Sequence, residues 1–207
     1  MRIKIGKFFV ILGTALILGA LGLFLWNDNE SNEAESYSLE ILPQIHQEVQ
    51  EAQKVVNEVP DVIPVTPVEY LTEEDRTMTE VEIEGNFYIG YLSIPALSLE
   101  LPVMTDWSYP KLRIAPCRYS GTLRGKDLVI MAHNYKSHFG SLSKLPAGSE
   151  VIFTDMDGNI WTYEAIGIDL LEATSVEEMT AGDYDLTLFT CTQGGSHRVT
   201  LRCDLIS

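Results

Sequence analysis

The sequence predicts an all-β domain: a small, mostly antiparallel barrel or sandwich of about seven to eight strands with short helices, carried behind a membrane helix and a stalk. Three observations predict it. Residues 86–207 break into short apolar runs punctuated by turn signals, helix-length periodic runs are scarce among them, and the one long apolar stretch lies near the amino end. The chain has 207 residues, 45% hydrophobic and 21% charged, an ordinary globular balance that excludes bulk disorder. Its formal charge of -16 would repel a phosphate backbone, so a nucleic-acid partner is excluded, and three cysteines are too few for a disulfide-stapled miniprotein.

Charge divides the chain into an anchor (1–26), a stalk (27–85) and a domain (86–207). Residues 1–26 carry Arg2, Lys4 and Lys7 and no acid, residues 27–85 hold 16 acids against Lys54 and Arg76, and residues 86–207 hold 14 acids against 9 bases. From Phe8 to Trp26 no side chain is charged, and 19 residues at about 1.5 Å each match the ~30 Å hydrocarbon core. Bases on the amino side alone predict a cytoplasmic head, a single-pass helix and an extracellular remainder. A cleaved signal peptide is the alternative, but the apolar run exceeds a usual h-region and no small-residue cleavage site follows.

In the stalk, NDNESNEAESYS (27–38) is too polar to offset its ordering entropy and is expected to be mobile. Leu42, Ile45, Val49, Ala52, Val56 and Val59 recur at three- and four-residue steps and predict a helix over 42–59, which either packs on the domain, self-associates or is a solvated spacer. Pro60, Pro64 and Pro67 then favour an extended, polyproline-like run.

Strands are predicted at 88–94, 99–104, 127–133, 150–154, 160–171, 185–191 and 198–205, with Asp157-Gly158 as a tight hairpin and single helical turns near 108–114, 139–145 and 175–181. Side chains alternate faces with period two. Val199, Leu201, Cys203 and Leu205 share one face of the last strand, and Arg198, Thr200 and Arg202 the other. If Leu186, Leu188 and Thr190 face the core, Cys191 faces outward with Arg198, across the loop TQGGSH.

That combination has chemical meaning. An unperturbed thiol is only about 3% ionised at neutral pH, so a fixed cation nearby raises the nucleophilic fraction, and a guanidinium can also stabilise a tetrahedral oxyanion. A leaving amine needs a proton donor, a task suited to histidine, and His133 ends the run DLVIMAH.

The segments LVIMAHN (128–134) and LTLFTC (186–191), Arg198 seven residues beyond Cys191, and YIGYLSIPALSLELPVM (88–104) resemble a sortase, a cysteine transpeptidase of mainly Gram-positive cell envelopes. The likeness covers most of 86–207 and implies a sortase-like barrel. It implies that Cys191 attacks a carboxy-terminal sorting signal, LPxTG-like or NPxTx-like, of a surface protein to form a thioester. His133 would protonate the leaving amine and later deprotonate the acceptor, a peptidoglycan cross-bridge amine or a pilin lysine, while Arg198 holds substrate and oxyanion. Thr190 resembles a residue that shapes the oxyanion site, through its backbone since parity turns its side chain inward; Asn134 and His197 are candidate substrate contacts beside it. With reference ionisations, under ~1% of molecules hold thiolate and imidazolium together at pH 7, so a low turnover and a bell-shaped pH profile are expected. HNYKSHFGSLSKL (133–145) resembles class B, whereas the short 171–185 connection departs from it. No apolar tail follows Ser207, which favours anchoring of single substrates over pilus assembly.

Two other functions use the same residues: a non-catalytic exported β-barrel that binds a peptide, with Cys191 structural, and a hydrolytic cysteine peptidase with water as acceptor. No cofactor or metal is expected. His133, His138, His197 and Cys191 match no usual zinc spacing, and Glu172, Glu177, Glu178 and Asp183 read as a solvated acidic loop rather than a calcium site. Cys203 is assigned to the core and Cys117 to a loop or a half-buried position, with a Cys117–Cys203 disulfide left open; Trp107, Tyr109 and Tyr119 either line a groove or pack.

Overall fold

The computed structural model describes residues 2–58 and 77–207; the extended run expected around Pro60, Pro64 and Pro67 lies outside them. One long helix, α1 (Arg2–Glu58), precedes nine strands: β1 (Val81–Ile83), β2 (Asn86–Ile94), β3 (Leu99–Met104), β4 (Cys117–Ser120), β5 (Leu128–Met131), β6 (Glu150–Asp155), β7 (Ile160–Glu172), β8 (Leu186–Cys191) and β9 (His197–Leu205). Two short α-turns, α2 (Tyr109–Leu112) and α3 (Val176–Met179), and 3₁₀ turns at Pro95–Leu97 and Leu142–Lys144 fill the connections.

The strands run in the order β1-β2-β3-β4-β5-β8-β9-β7-β6, and β6 pairs back onto β2. That return closes eight strands into a barrel and leaves β1 as a ribbon on β2. Only β3–β4 and β5–β8 are parallel pairs among the described strands. Inward-facing Leu92, Val103, Ile130, Phe153, Leu188 and Leu201 fill the barrel, as the period-two pattern of each strand requires. Closure depends on Gly90. Its φ is +143°, and a Cβ there would lie 2.0 Å from the Thr154 carbonyl oxygen across the β2–β6 seam.

Two strands and the domain boundary differ from expectation. β1 and β4 are three and four residues long, too short for alternation to be visible. β1 turns into β2 through Glu84 (φ 52°) and Gly85 (φ 79°), so the sheet begins at Val81 rather than at residue 86. A Glu-Gly turn lacks the Asn or Asp that usually announces two left-handed residues.

The helix differs more. The expected mobile segment 27–38 is helical and continuous with the apolar run before it and with the helix expected after it, which is described as far as Glu58. Ser31, Ala34, Ser38, Ile41, Ile45 and Val49 are buried at three- and four-residue steps. The stripe on the barrel therefore starts about three turns before Leu42, where the apolar residues begin it, because small side chains at 31, 34 and 38 let the helix approach closely. Ile41, Ile45 and Val49 pack with Ile83, Tyr88, Met104 and Cys117 in a second core outside the barrel wall. Polar contacts reinforce it, with Asn86 Nδ2 donating to the Tyr37 hydroxyl at 3.2 Å and Gln53 Nε2 to the Gly158 carbonyl at 2.9 Å. Before this contact, Leu16, Leu23 and Trp26 are exposed, and α1 is long and apolar enough to cross a membrane.

Cys117 is fully buried in the second core and Cys203 in the barrel core, and both are free thiols. Neither the half-buried placing of Cys117 nor a Cys117–Cys203 bridge holds. Burial pushes both thiols up to about 12, so they stay protonated and inert.

Candidate functional site

The site forms where the parallel pair β5–β8 ends. Met131 is in register with Phe189, and the Ala132 amide continues the ladder onto the Phe189 carbonyl at 3.2 Å. His133 and Cys191 each lie two residues beyond that last registered pair, so they leave adjacent strand ends on the same outward parity. Across the β8–β9 hairpin, Cys191 is the direct antiparallel partner of Arg198. Directly opposed residues have Cβ atoms about 5 Å apart, which brings thiol and guanidinium stems together on one face.

Cys191 is half-buried and lines a cleft of about 400 Å³ with Asn134, Phe139, Gly140, Ser143, Thr190 and Thr192. Asn27, in the turn of α1 after Trp26, completes the wall. His133, His197 and Arg198 are not among the residues that line this cleft.

Each remaining candidate has a defined place. The Thr190 side chain is buried, its hydroxyl without a hydrogen-bond partner, so it points into the barrel as alternation requires. His197 belongs to the hairpin: Thr192 N donates to its carbonyl at 2.9 Å, and Ser196 Oγ lies 3.0 Å from its Nδ1. The loop is threaded tightly by Gly194 (φ 96°) and Gly195 (φ 77°). Arg198 Nη1 donates to the carbonyls of Gly195 at 3.0 Å and His197 at 3.2 Å.

His133 is set by the loop behind it. The Phe139 amide donates to the His133 carbonyl at 3.2 Å and the Gly140 amide to the Tyr135 carbonyl at 2.9 Å. Gly140 is obligatory there, since a Cβ would lie 2.6 Å from the carbonyl oxygens of both Asn134 and Tyr135. Burial holds His133 below its ordinary range; the Glu30 carboxylate opposes that and Arg113 adds to it. Glu30 and Tyr135, which bear on this histidine, were invisible to motif reading because they are 105 residues apart in sequence.

The zinc alternative has no geometry behind it. His138 is fully buried behind Tyr135, whereas His197 lies in the exposed hairpin, and among the described residues no group of three or more His, Cys, Asp or Glu is arranged to hold a metal. The aromatic candidates pack as a ladder on the outer wall. Tyr119 meets Phe189 edge to face at 5.4 Å and stacks with Trp107 at 6.1 Å, and Trp107 meets Tyr109 at 6.0 Å.

Residues 92–206 match the family model for the sortase domain. Sortase C1 of Streptococcus suis is similar, at 29% identity over 58% of this chain and 73% of that one, with a TM-score of 0.52. The fold is shared with a sortase D5 transpeptidase of Clostridium perfringens (16% identity, 85% and 99% covered, TM-score 0.56) and with sortase A of Corynebacterium diphtheriae (17%, 90% and 96%, 0.53). These neighbours carry C, D and A designations rather than the class B suggested by 133–145. No curated protein matches the chain.

Proposed function

The chain belongs to the sortase family of cysteine transpeptidases, and we propose that within it Cys191 is the nucleophile, His133 the general acid and base, and Arg198 the ligand of the oxyanion and substrate. The observation that carries this reading is the strand register: Cys191 opposite Arg198 on β8–β9, and beside His133 at the end of β5–β8.

The thiolate of Cys191 attacks the scissile carbonyl carbon of a carboxy-terminal sorting signal, LPxTG-like or NPxTx-like, and the carbonyl oxygen becomes an oxyanion. Collapse breaks the C–N bond, the His133 imidazolium gives its proton to the departing amine, and a thioester remains. An acceptor amine, from a peptidoglycan cross-bridge or another envelope protein, then loses a proton to neutral His133 and attacks the thioester, releasing the thiolate. Arg198 faces the carbonyl through both tetrahedral states. Because burial holds His133 below its ordinary range, the imidazolium is scarce near neutrality, and turnover is slow. The helix from Phe8 to Trp26 anchors the enzyme, basic head inside, with the barrel on the outer surface where sorting signals and amines meet.

Mass spectrometry of the full chain incubated with LPxTG-type and NPxTx-type peptide libraries tests this. The expected result is a thioester adduct on Cys191, absent in Cys191→Ala and converted to a ligated product by added oligoglycine or diaminopimelate. Unmodified protein across both libraries would favour a peptide-binding barrel, and release of free acid despite added amine would favour a hydrolase.

A further inference from the structure

Immediately after its apolar segment, α1 makes a set of polar contacts with the loop that carries His133. The Tyr135 ring lies against the His133 imidazole, centroids 4.7 Å apart and planes 28° from parallel. The Tyr135 hydroxyl donates to Glu30 Oε2 at 2.8 Å, and Trp26 Nε1 donates to Glu30 Oε1 at 2.9 Å, so both carboxylate oxygens are engaged. One residue on, Ser137 Oγ donates to the Ser31 carbonyl at 2.8 Å, and Asn27 lines the cleft beside Cys191.

The geometry points to Glu30 as a positioning residue for His133: its carboxylate tethers the Tyr135 ring against which the imidazole rests, so the first turn of α1 beyond the apolar segment orients the acid–base group. This rests on the reading of His133 as that group. A hydrogen bond to an ionised carboxylate is about twice as strong as a neutral one, and a tethered ring stacked on one face of an imidazole limits its rotation. Burial and the Glu30 carboxylate both push the Tyr135 hydroxyl up, so it remains a donor. Other titratable or charged groups facing this cluster are Glu33 from α1, Arg113 beyond α2, and His138 in the same loop. Arg113 disfavours the imidazolium and Glu30 favours it, so Glu30 supplies both a tether and a countercharge.

The chain has 4 histidines, so a side-chain NMR titration of the full-length protein in nanodiscs can resolve His133, alongside kcat and KM for peptide cleavage against pH. Glu30→Gln keeps an acceptor for Tyr135 and removes the charge. Its expected effect is a fall of about threefold in the proton affinity of His133 and a matching fall in the kcat plateau, with KM unchanged. Tyr135→Phe keeps the ring and removes the tether, and lowers kcat about threefold to tenfold at constant KM. Glu30→Asp restores most of the His133 titration. An unmoved His133 titration and kcat in Glu30→Gln overturn the proposal, as does a change confined to KM, which would mean that the helix only shapes the cleft. If the parent chain acylates with no peptide, the transpeptidase reading fails, while the titration, which needs no substrate, still decides the role of Glu30.

Discussion

Strand β9 carries two arginines on one face, and they live differently at its two ends. Arg202 is 6% exposed and all three of its nitrogens donate: Nε to Asp169 at 3.1 Å, Nη1 to the Met179 carbonyl and Thr187 Oγ1 at 3.1 Å, Nη2 to the Glu178 carbonyl at 2.7 Å. It also lies over the Tyr184 ring at 5.1 Å. Arg198 is half-buried, and its hydrogen bonds among the described residues, both from Nη1, go to the carbonyls of its own turn. A guanidinium whose three nitrogens are all engaged by the protein is a clamp, here holding α3 and the connection before β8 onto the barrel. One with donors left over beside a half-buried thiol is available to a substrate.

The largest expected effect separates the two by activity. Arg198→Ala should lower kcat/KM by roughly 10²–10³-fold, the loss typical of an oxyanion ligand, with unfolding free energy within ~0.5 kcal/mol of the parent. Urea unfolding and peptide cleavage on the same preparation check it; equal losses in both would make Arg198 a second clamp. Arg202→Ala should do the reverse. It strands the buried Met179 carbonyl and Thr187 Oγ1 and releases the Glu178 carbonyl, at about 2–4 kcal/mol of stability, while the folded fraction cleaves within about twofold of the parent rate. A tenfold loss of activity in fully folded Arg202→Ala would erase the distinction.

A smaller effect sharpens the same contrast for histidines. His138 is fully buried, and burial first and the nearby His133 second push it down to about 4, with a backbone contact at Ile114 opposing them. The unfolded chain binds this proton near pH 6.5 and the folded one only near 4, so stability is full above about 6.5 and is lost as pH falls toward 4. The loss should reach about 1–3 kcal/mol. His138→Leu should flatten that acid slope, because it removes the only group at this position that must charge. Denaturant midpoints between pH 4 and 7 measure it, and an identical slope in both proteins would assign the acid sensitivity elsewhere.

Part of this was legible in the sequence. Period-two alternation placed Cys191 and Arg198 on one face, and seven strands announced themselves as short apolar runs between turn signals. Distance along the chain hid the rest. No local pattern links Glu30 to Tyr135, and residues 27–38 read as solvated because burial there falls on Ser31, Ala34 and Ser38, whose small size rather than hydrophobicity lets α1 dock. Cys117 read as a loop or half-buried residue because β4 owes its place to one registered pair with β3 and three with β5 rather than to its own composition. The parallel pairing of β5 with β8, which brings His133 to Cys191, joins segments separated by an entire hairpin and has no signature in either strand alone.

The smallest effect tests what makes Arg202 a clamp. Asp169 is about half exposed, its side chain at 49%, and water and salt screen its pairing with Arg202 Nε. Asp169→Asn should therefore cost under ~1 kcal/mol and respond little to added salt, since the amide oxygen still accepts from Nε. If the ion pair held α3, Asp169→Asn would approach the loss in Arg202→Ala and both would shrink at high salt. The Met179 carbonyl and Thr187 Oγ1 argue otherwise: these acceptors are buried and have no water to fall back on, so the guanidinium is retained for its donors more than for its charge, and the two substitutions should differ severalfold.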